Sequence, residues 1–224
     1  MSFLKVEDVS FSYSPGGSAA IFSNIGFSIE REERIALMGP NGSGKTTLGK
    51  IIMGMYPPTE GRVLLEGRDI GKCSLPQIGA RIGYLFQNPD KQIFNPTVYE
   101  ELSFGLHYRG YNREESHLKV EKALDRFELR DLADAFPLNL SRGEKQRLAI
   151  ASIMVLEPDF LIFDEPTTGL DHRRKTNFAD MLTEISSKGT GFILISHDLE
   201  FCRSNTDRFL ILKRGVLNED DSYD

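Results

Sequence analysis

Residues 35–46 read Ile35-Ala36-Leu37-Met38-Gly39-Pro40-Asn41-Gly42-Ser43-Gly44-Lys45-Thr46: a short apolar run, a glycine-rich loop, then a lysine and a hydroxyl. The apolar run fits a buried strand, and from Thr46 to Met55 the spacing is helical, ending before Pro57-Pro58. Between them, residues 39–46 match G-x-x-x-x-G-K-[ST] in the strand-then-helix context that this pattern requires. The glycines let successive backbone N–H groups converge on phosphate oxygens, and the helix N-terminus adds partial positive charge. Gly39, Pro40, Asn41, Gly42, Ser43, Gly44, Lys45, Thr46 and Thr47 are therefore the predicted cradle of a nucleotide. Lys45 is expected to bridge the β- and γ-phosphates, and the Thr46 hydroxyl to ligate Mg²⁺. The plainer reading, an ordinary glycine-rich turn, needs the lysine and threonine to follow by chance.

Outward from this loop, a second apolar strand, Phe160-Leu161-Ile162-Phe163, runs into Asp164-Glu165. A strand buried on both faces carries no carboxylate unless its end opens on a site. Asp164 is expected to hold Mg²⁺ through its water shell, and Glu165 to polarise the water that attacks the γ-phosphate. Standing alone, two acids at a strand end would also suit a helix cap meeting solvent; beside the upstream cradle, the catalytic reading is the stronger.

The rest of the chain frames these two strands. Alternating Phe3, Val6, Val9, Phe11 and Tyr13 begin a β-rich stretch, followed by a turn at Pro15-Gly16-Gly17 and strand-like residues 25–29. Residues 61–66 and 81–87 are further predicted strands. Residues 98–107, 114–127 and 142–156 show helical spacing, after which a helix over 172–188 alternates with strands at 192–196 and 208–212. The predicted fold is α/β: a single domain whose core is 1–87 with 158–224, interrupted by a helical insert, 88–157. The tail from Asn218 to Asp224 reads as frayed and acidic.

With 224 residues, 40% of them hydrophobic, the chain can bury a sizeable core. A net charge of −6 and a pI near 5.4 give no sign of broad attraction to nucleic acid or anionic lipid, though an acidic whole leaves room for a local basic site. Cys73 and Cys202 have no metal-ligand spacing and read as small fillers in a reducing compartment. No signal segment or membrane-spanning run is evident, so a cytoplasmic protein is expected, reaching any membrane through a partner.

Leu140-Ser141-Arg142-Gly143-Glu144, Gln87, Thr168-Gly169-Leu170-Asp171, His197 and Tyr13 join the cradle and the acidic pair in one order along the chain. Over residues 1–215 that order resembles the nucleotide-binding subunits of ATP-binding-cassette (ABC) transporters. The resemblance implies a P-loop, RecA-like core with an N-terminal antiparallel β subdomain and a helical subdomain carrying the signature, usually Leu-Ser-Gly-Gly-Gln. It implies that Ser141, Gly143 and Glu144 meet the γ-phosphate held by an opposite subunit, and that Gln87 reaches the nucleotide and its metal. Tyr13 would stack on adenine, residues 168–171 would contact the other subunit, and His197 would act with Glu165 and Lys45 in catalysis. ATP and Mg²⁺ are the implied ligands. The implied partners are a second ATPase subunit, identical or not, and transmembrane subunits at the cytoplasmic face of the cell membrane. Each of three marks also has a plainer reading: Ser141 with Glu144 is an S-x-x-E capping box, His197 a strand end, Tyr13 a core aromatic.

Two positions depart from the family pattern. Arg142 stands for the first signature glycine, where its Cβ narrows the allowed backbone, and Glu144 for the glutamine, putting negative charge near a triphosphate that Lys145 or Arg142 would offset. The composite site built on this signature is expected to be altered. Gln87-Asn88-Pro89-Asp90-Lys91-Gln92-Ile93-Phe94, followed by Pro96-Thr97-Val98, resembles the ATPases of energy-coupling-factor importers of vitamins and transition metals. In that group the residue matching Gln92 begins a helix facing the membrane subunit. Many of its members carry an extra C-terminal dimerising segment for which this chain has no room, so dimerisation is expected through sandwiched nucleotides or an unlike partner. Two rivals differ in class: a soluble cassette acting on DNA or ribosomes, and a regulatory cassette that binds ATP without turnover. The first is disfavoured by the acidic balance and by only about 95 residues between Lys45 and Leu140, the second by Glu165 and His197.

Overall fold

The computed structural model describes residues 2–14 and 20–220, so the expected turn at Pro15-Gly16-Gly17 and the tail from 221 lie outside the described residues. The chain divides into two compact units, one running to Tyr84 and resuming at Asp159, the other Leu85–Pro158. In chain order the elements are β1 (Leu4–Phe11), β2 (Phe22–Ile29), β3 (Arg34–Met38), α1 (Lys45–Ile52), β4 (Glu60–Leu65), β5 (Arg68–Asp69), α2 (Leu75–Gly79) and β6 (Ile82–Leu85). There follow α3 (Val98–Tyr108), α4 (Arg113–Arg126), α5 (Arg142–Met154), β7 (Phe160–Asp164), α6 (His172–Ser187), β8 (Gly191–Ile195), α7 (Leu199–Asn205), β9 (Arg208–Lys213) and β10 (Val216–Asp220).

The first unit holds two sheets. The smaller has the order β2-β1-β4-β5, antiparallel throughout. In β1, Val6 and Val9 are three residues apart, which a side-chain period of two does not allow. Asp8 resolves the conflict: with φ +50° it lies at a register shift that returns Val9 to the buried face, 0% exposed.

The larger sheet runs β10-β9-β3-β8-β7-β6, with β9, β3, β8 and β7 parallel. Both β7 and β8 are buried at every position, as expected for strands covered on both faces. Such sheets bind ligands outside the carboxyl ends of their strands, and here β3, β7 and β8 run into residues 39–44, Glu165 and His197. The edge strand β10 corrects one expectation. Residues 218–220 are not frayed but pair with β9, from Val216 opposite Lys213 to Asp220 opposite Phe209. Arg214 and Gly215, at φ +54° and +78°, supply the two left-handed residues of a tight hairpin turn.

In the second unit, α3, α4 and α5 pack around Val98, Leu102, Leu106, Val120 and Leu148, each 0% exposed. Gln92 does not begin a helix, contrary to the resemblance. It closes a short 3-10 turn, Pro89–Lys91, and its side chain turns inward. Its Oε1 accepts from the Phe86 N–H at 3.2 Å and its Nε2 donates to the Ala149 carbonyl on α5 at 3.1 Å. A half-buried amide must satisfy both ends, and α5 is the partner within reach.

Candidate nucleotide site

The glycine-rich loop is shaped by what packs against it. Gly39 has φ +146°, and a Cβ there would lie 2.1 Å from the Leu212 carbonyl oxygen. Gly44 has φ +102°, and its Cβ would lie 2.7 Å from Ile21 Cγ2. No larger residue fits either place. The helix that follows is unlike its neighbours. Each of α3 to α7 opens with a side chain accepting from a helix N–H, whereas α1 has no side-chain cap and no acid in its first turn. Its free N–H groups and positive end are left for an anion. Within the loop the Ser43 hydroxyl is buried without a hydrogen-bond partner, a cost of about 1–3 kcal/mol that a ligand oxygen would relieve. Lys45, 6% exposed, curls back so that Nζ donates to the carbonyls of Gly39 at 2.8 Å and Pro40 at 3.1 Å.

At the end of β7, Asp164 is 1% exposed and accepts one hydrogen bond on each oxygen. Thr46 Oγ1 donates to Oδ1 at 2.9 Å and the Tyr84 hydroxyl to Oδ2 at 3.0 Å. Burial pushes the Asp164 carboxyl above the usual range; the bonds from Thr46 and Tyr84 pull it back, and the Glu165 charge adds to the rise. Burial first, then the Asp164 charge, drives the Tyr84 phenol well above its usual range, so it remains a donor. A carboxylate beside a hydroxyl is the hard, all-oxygen donor set that suits Mg²⁺.

Glu165 takes a left-handed backbone, φ +50°, costing of order 1 kcal/mol or more for such a residue. Its N–H is held by the Ile195 carbonyl at 2.8 Å. The carboxylate is 2.7 Å from His197 Nδ1 and accepts from the Thr168 hydroxyl at 3.3 Å. His197 is open to solvent, with 60% of its side chain exposed, while Glu165 is buried. Gly169, at φ +77°, turns the chain toward Asp171, which caps α6 by accepting from Arg174 N–H at 2.9 Å. Asp198 caps α7 and pairs with Lys175. Burial raises its carboxyl, but the Lys175 ammonium and the Phe201 N–H outweigh that and hold it low.

Tyr13 is 59% exposed, so it is not the core aromatic of the plainer reading. Its hydroxyl lies 2.7 Å from Thr47 Oγ1, and its ring meets Phe11 edge-on at 5.0 Å. The remaining expected residues belong to the second unit. Gln87 is exposed just after β6. Ser141 caps α5, accepting from Glu144 N–H at 3.4 Å, while Glu144 Oε2 accepts from Ser141 N–H at 2.7 Å. The capping box is thus formed, with Gly143 buried behind it. The Lys145 ammonium goes not to Glu144 but to Asp90, at 2.9 Å. Tyr84 was not foreseen from the sequence. The signal existed: a tyrosine inside a fully buried strand needs a partner for its hydroxyl.

An open helix end, a buried lysine over a strained loop, and a carboxylate beside a threonine define a strand–loop–helix protein that binds nucleoside phosphates. The family model described as ABC transporter matches residues 22–168, and the chain belongs to the ATP-binding proteins of that family. It is 42% identical to a putative ABC transporter ATP-binding protein of Methanosarcina acetivorans over 95% of its own length, but spans only about a third, 34%, of that protein. It is 37% identical to the energy-coupling factor transporter ATP-binding protein EcfA of Methanothermobacter thermautotrophicus, covering 96% of this chain and 69% of that one. Among solved structures it superposes, with TM-score 0.87, 26% identity and 99% coverage of both chains, on a dimeric ATP-binding cassette in a post-hydrolysis state bound to ADP and phosphate.

Proposed function

We propose that this chain hydrolyses Mg²⁺-bound ATP and passes the resulting motion to a membrane transporter. The observation that carries the reading is the arrangement at the carboxyl ends of β3, β7 and β8. Thr46 meets Asp164 there, and Glu165 is held by His197 and Thr168 on a strained turn.

In this reading the N–H groups of residues 41–47 and the Lys45 ammonium bind the β- and γ-phosphates, and Tyr13 offers an aromatic face for the adenine. Thr46 and Asp164 would hold Mg²⁺, which supplies charge neutralisation on the phosphate oxygens, and Gln87 is proposed, from the family resemblance alone, as a further ligand of the metal. Glu165 accepts a proton from the attacking water as the bond to the γ-phosphorus forms and the bond to the ADP oxygen breaks. His197 fixes the Glu165 carboxylate in place. Ser141, Gly143 and the start of α5 present N–H groups to the γ-phosphate of a second, like or unlike, ATPase subunit, so ATP closes the pair and hydrolysis releases it. The relative named EcfA and the stretch from Gln87 to Phe94 support an importer of the energy-coupling-factor type, carrying a vitamin or a transition-metal ion. Among the described residues no helix is long and apolar enough to cross a membrane. In the importer reading, transmembrane partners at the cytoplasmic face provide the path.

Purified protein tests the chemistry. Wild type should hydrolyse ATP with Mg²⁺, and Lys45→Ala should weaken nucleotide binding about tenfold or more, since a hydrogen bond to a charged group contributes about 1.5–3 kcal/mol. Nucleotide affinity unchanged in Lys45→Ala overturns the cradle assignment. Copurification with polytopic membrane proteins and a small substrate-binding subunit tests the importer reading.

A further inference from the structure

We infer that the Tyr84 hydroxyl is a positioning group for the metal-binding carboxylate of Asp164, fixing its Oδ2 so that Oδ1 faces Thr46. This rests on the Mg²⁺–nucleotide reading above and adds to it a residue outside the sequence motifs.

Three observations carry the inference. Tyr84 lies in the middle of β6, every residue of which is buried, and is itself 5% exposed. A buried phenol is retained where its hydroxyl has a partner, and here that partner is Asp164 Oδ2 at 3.0 Å. Second, Asp164 is held by two hydroxyls, from Thr46 and Tyr84, and Thr46 is itself an expected metal ligand. Tyr84 is therefore the donor that can go on holding the carboxylate when the Thr46 oxygen turns to a cation. Third, Gly49 leaves space that the phenol shares with Ile195. Gly49 lies on α1 three residues beyond Thr46, on the same face. A Cβ there would come within 3.3 Å of the Tyr84 hydroxyl and 2.9 Å of Ile195 Cδ1. Glycine weakens a helix interior, so its presence in the second turn of α1 fits a need for that space.

The chemistry of the donor is suited to the task. A lysine or arginine at this place would neutralise the carboxylate and compete with a divalent cation. A neutral hydroxyl orients the group and leaves its full charge for the metal, as outer partners of metal ligands do elsewhere.

The test uses Mn²⁺ as the metal probe and ADP as the nucleotide. Free Mn²⁺ is followed by electron paramagnetic resonance, and metal-free ADP affinity is measured in EDTA. Tyr84→Phe should bind Mn²⁺ in the presence of ADP about tenfold more weakly than wild type, the usual loss when an outer partner of a metal ligand is removed. Its ADP affinity in EDTA should match wild type within about twofold, a difference near the scatter expected of an untouched site. Equal Mn²⁺ affinity in a folded Tyr84→Phe variant overturns the inference, as does an equal loss of ADP affinity in EDTA, which would mark a packing defect. Gly49→Ala, whose Cβ would press on Ile195 Cδ1 at 2.9 Å and on the Tyr84 hydroxyl at 3.3 Å, should weaken Mn²⁺ binding in the wild-type background and weaken it less in the Y84F background, where the hydroxyl contact is gone. Should Y84F not fold, Gly49→Ala alone decides, and unchanged Mn²⁺ affinity overturns the inference. If wild type itself binds neither ADP nor Mn²⁺, the ATPase reading fails, a result distinct from loss of the Tyr84 effect alone.

Discussion

Glu165 sits in the left-handed backbone region while its carboxylate is held by a histidine and a threonine. Removing its charge should affect chemistry and spare binding. Glu165→Gln is expected to lower ATP turnover at least about 10²-fold while ATP affinity stays within a few-fold, since a positioned general base contributes 10²–10⁴. Turnover at the parental rate would refute the role given to the residue. His197→Ala should cost less, because the Thr168 hydroxyl still meets the carboxylate. Single residues differ in how readable they were. Lys45, Thr46, Asp164 and Glu165 could be named because each lies beside a strand end or in a short motif. For Tyr84 the sequence signals only a buried hydroxyl in need of a partner; which partner is hidden, because Asp164 is on another strand and only folding brings the two together.

Among the elements, α5 is where two readings of one stretch meet. Ser141 and Glu144 form a reciprocal cap, so Ser141→Ala should cost about 1 kcal/mol of stability in urea denaturation. Glu144→Gln should leave stability nearly unchanged, because glutamine serves the same box. If the altered signature limits the composite site, then Arg142→Gly with Glu144→Gln should change ATP turnover at saturating ATP; identical turnover would sink that idea. The strand and helix types of the core followed from apolar runs and caps in the sequence. The edge strand β10 did not, because its residues are largely polar and its pairing comes from the turn at Arg214-Gly215. Gln92 was misplaced for a related reason: a resemblance gave it a helix, while its own amide found partners at Phe86 and Ala149.

Taken whole, the molecule carries several carboxylates whose folded state favours ionisation. Burial raises the Glu66 carboxyl, but Arg31 and Arg81 outweigh it and hold it below its usual range; Asp198 is held down in the same way by Lys175 and the Phe201 N–H. The stability these groups contribute is present above their unfolded values, near about 4, and is lost as pH falls through the lower folded values. Asp164, pushed up by burial, has the opposite sign and gains on protonation. Since more groups are depressed than raised, the midpoint of thermal unfolding should hold between pH 7 and 5 and fall steeply below about 4. A midpoint that rose on acidification would show that Asp164 outweighs the rest. The wide separation of the paired residues, Glu66 with Arg31 or Asp198 with Lys175, is why no local pattern in the sequence announces this behaviour.

The stretch from Phe86 to Gln92 is fastened to α5 at two places, through Gln92 to Ala149 and through Asp90 to Lys145, residues four apart on one helix face. One rivet would leave a pivot; two make a plate. The exposed ring of Phe94, next but one along the chain, is tied to a different helix: its N–H meets Glu101 and its ring meets Phe104, both on α3, so a push there falls on a segment braced against two helices at once.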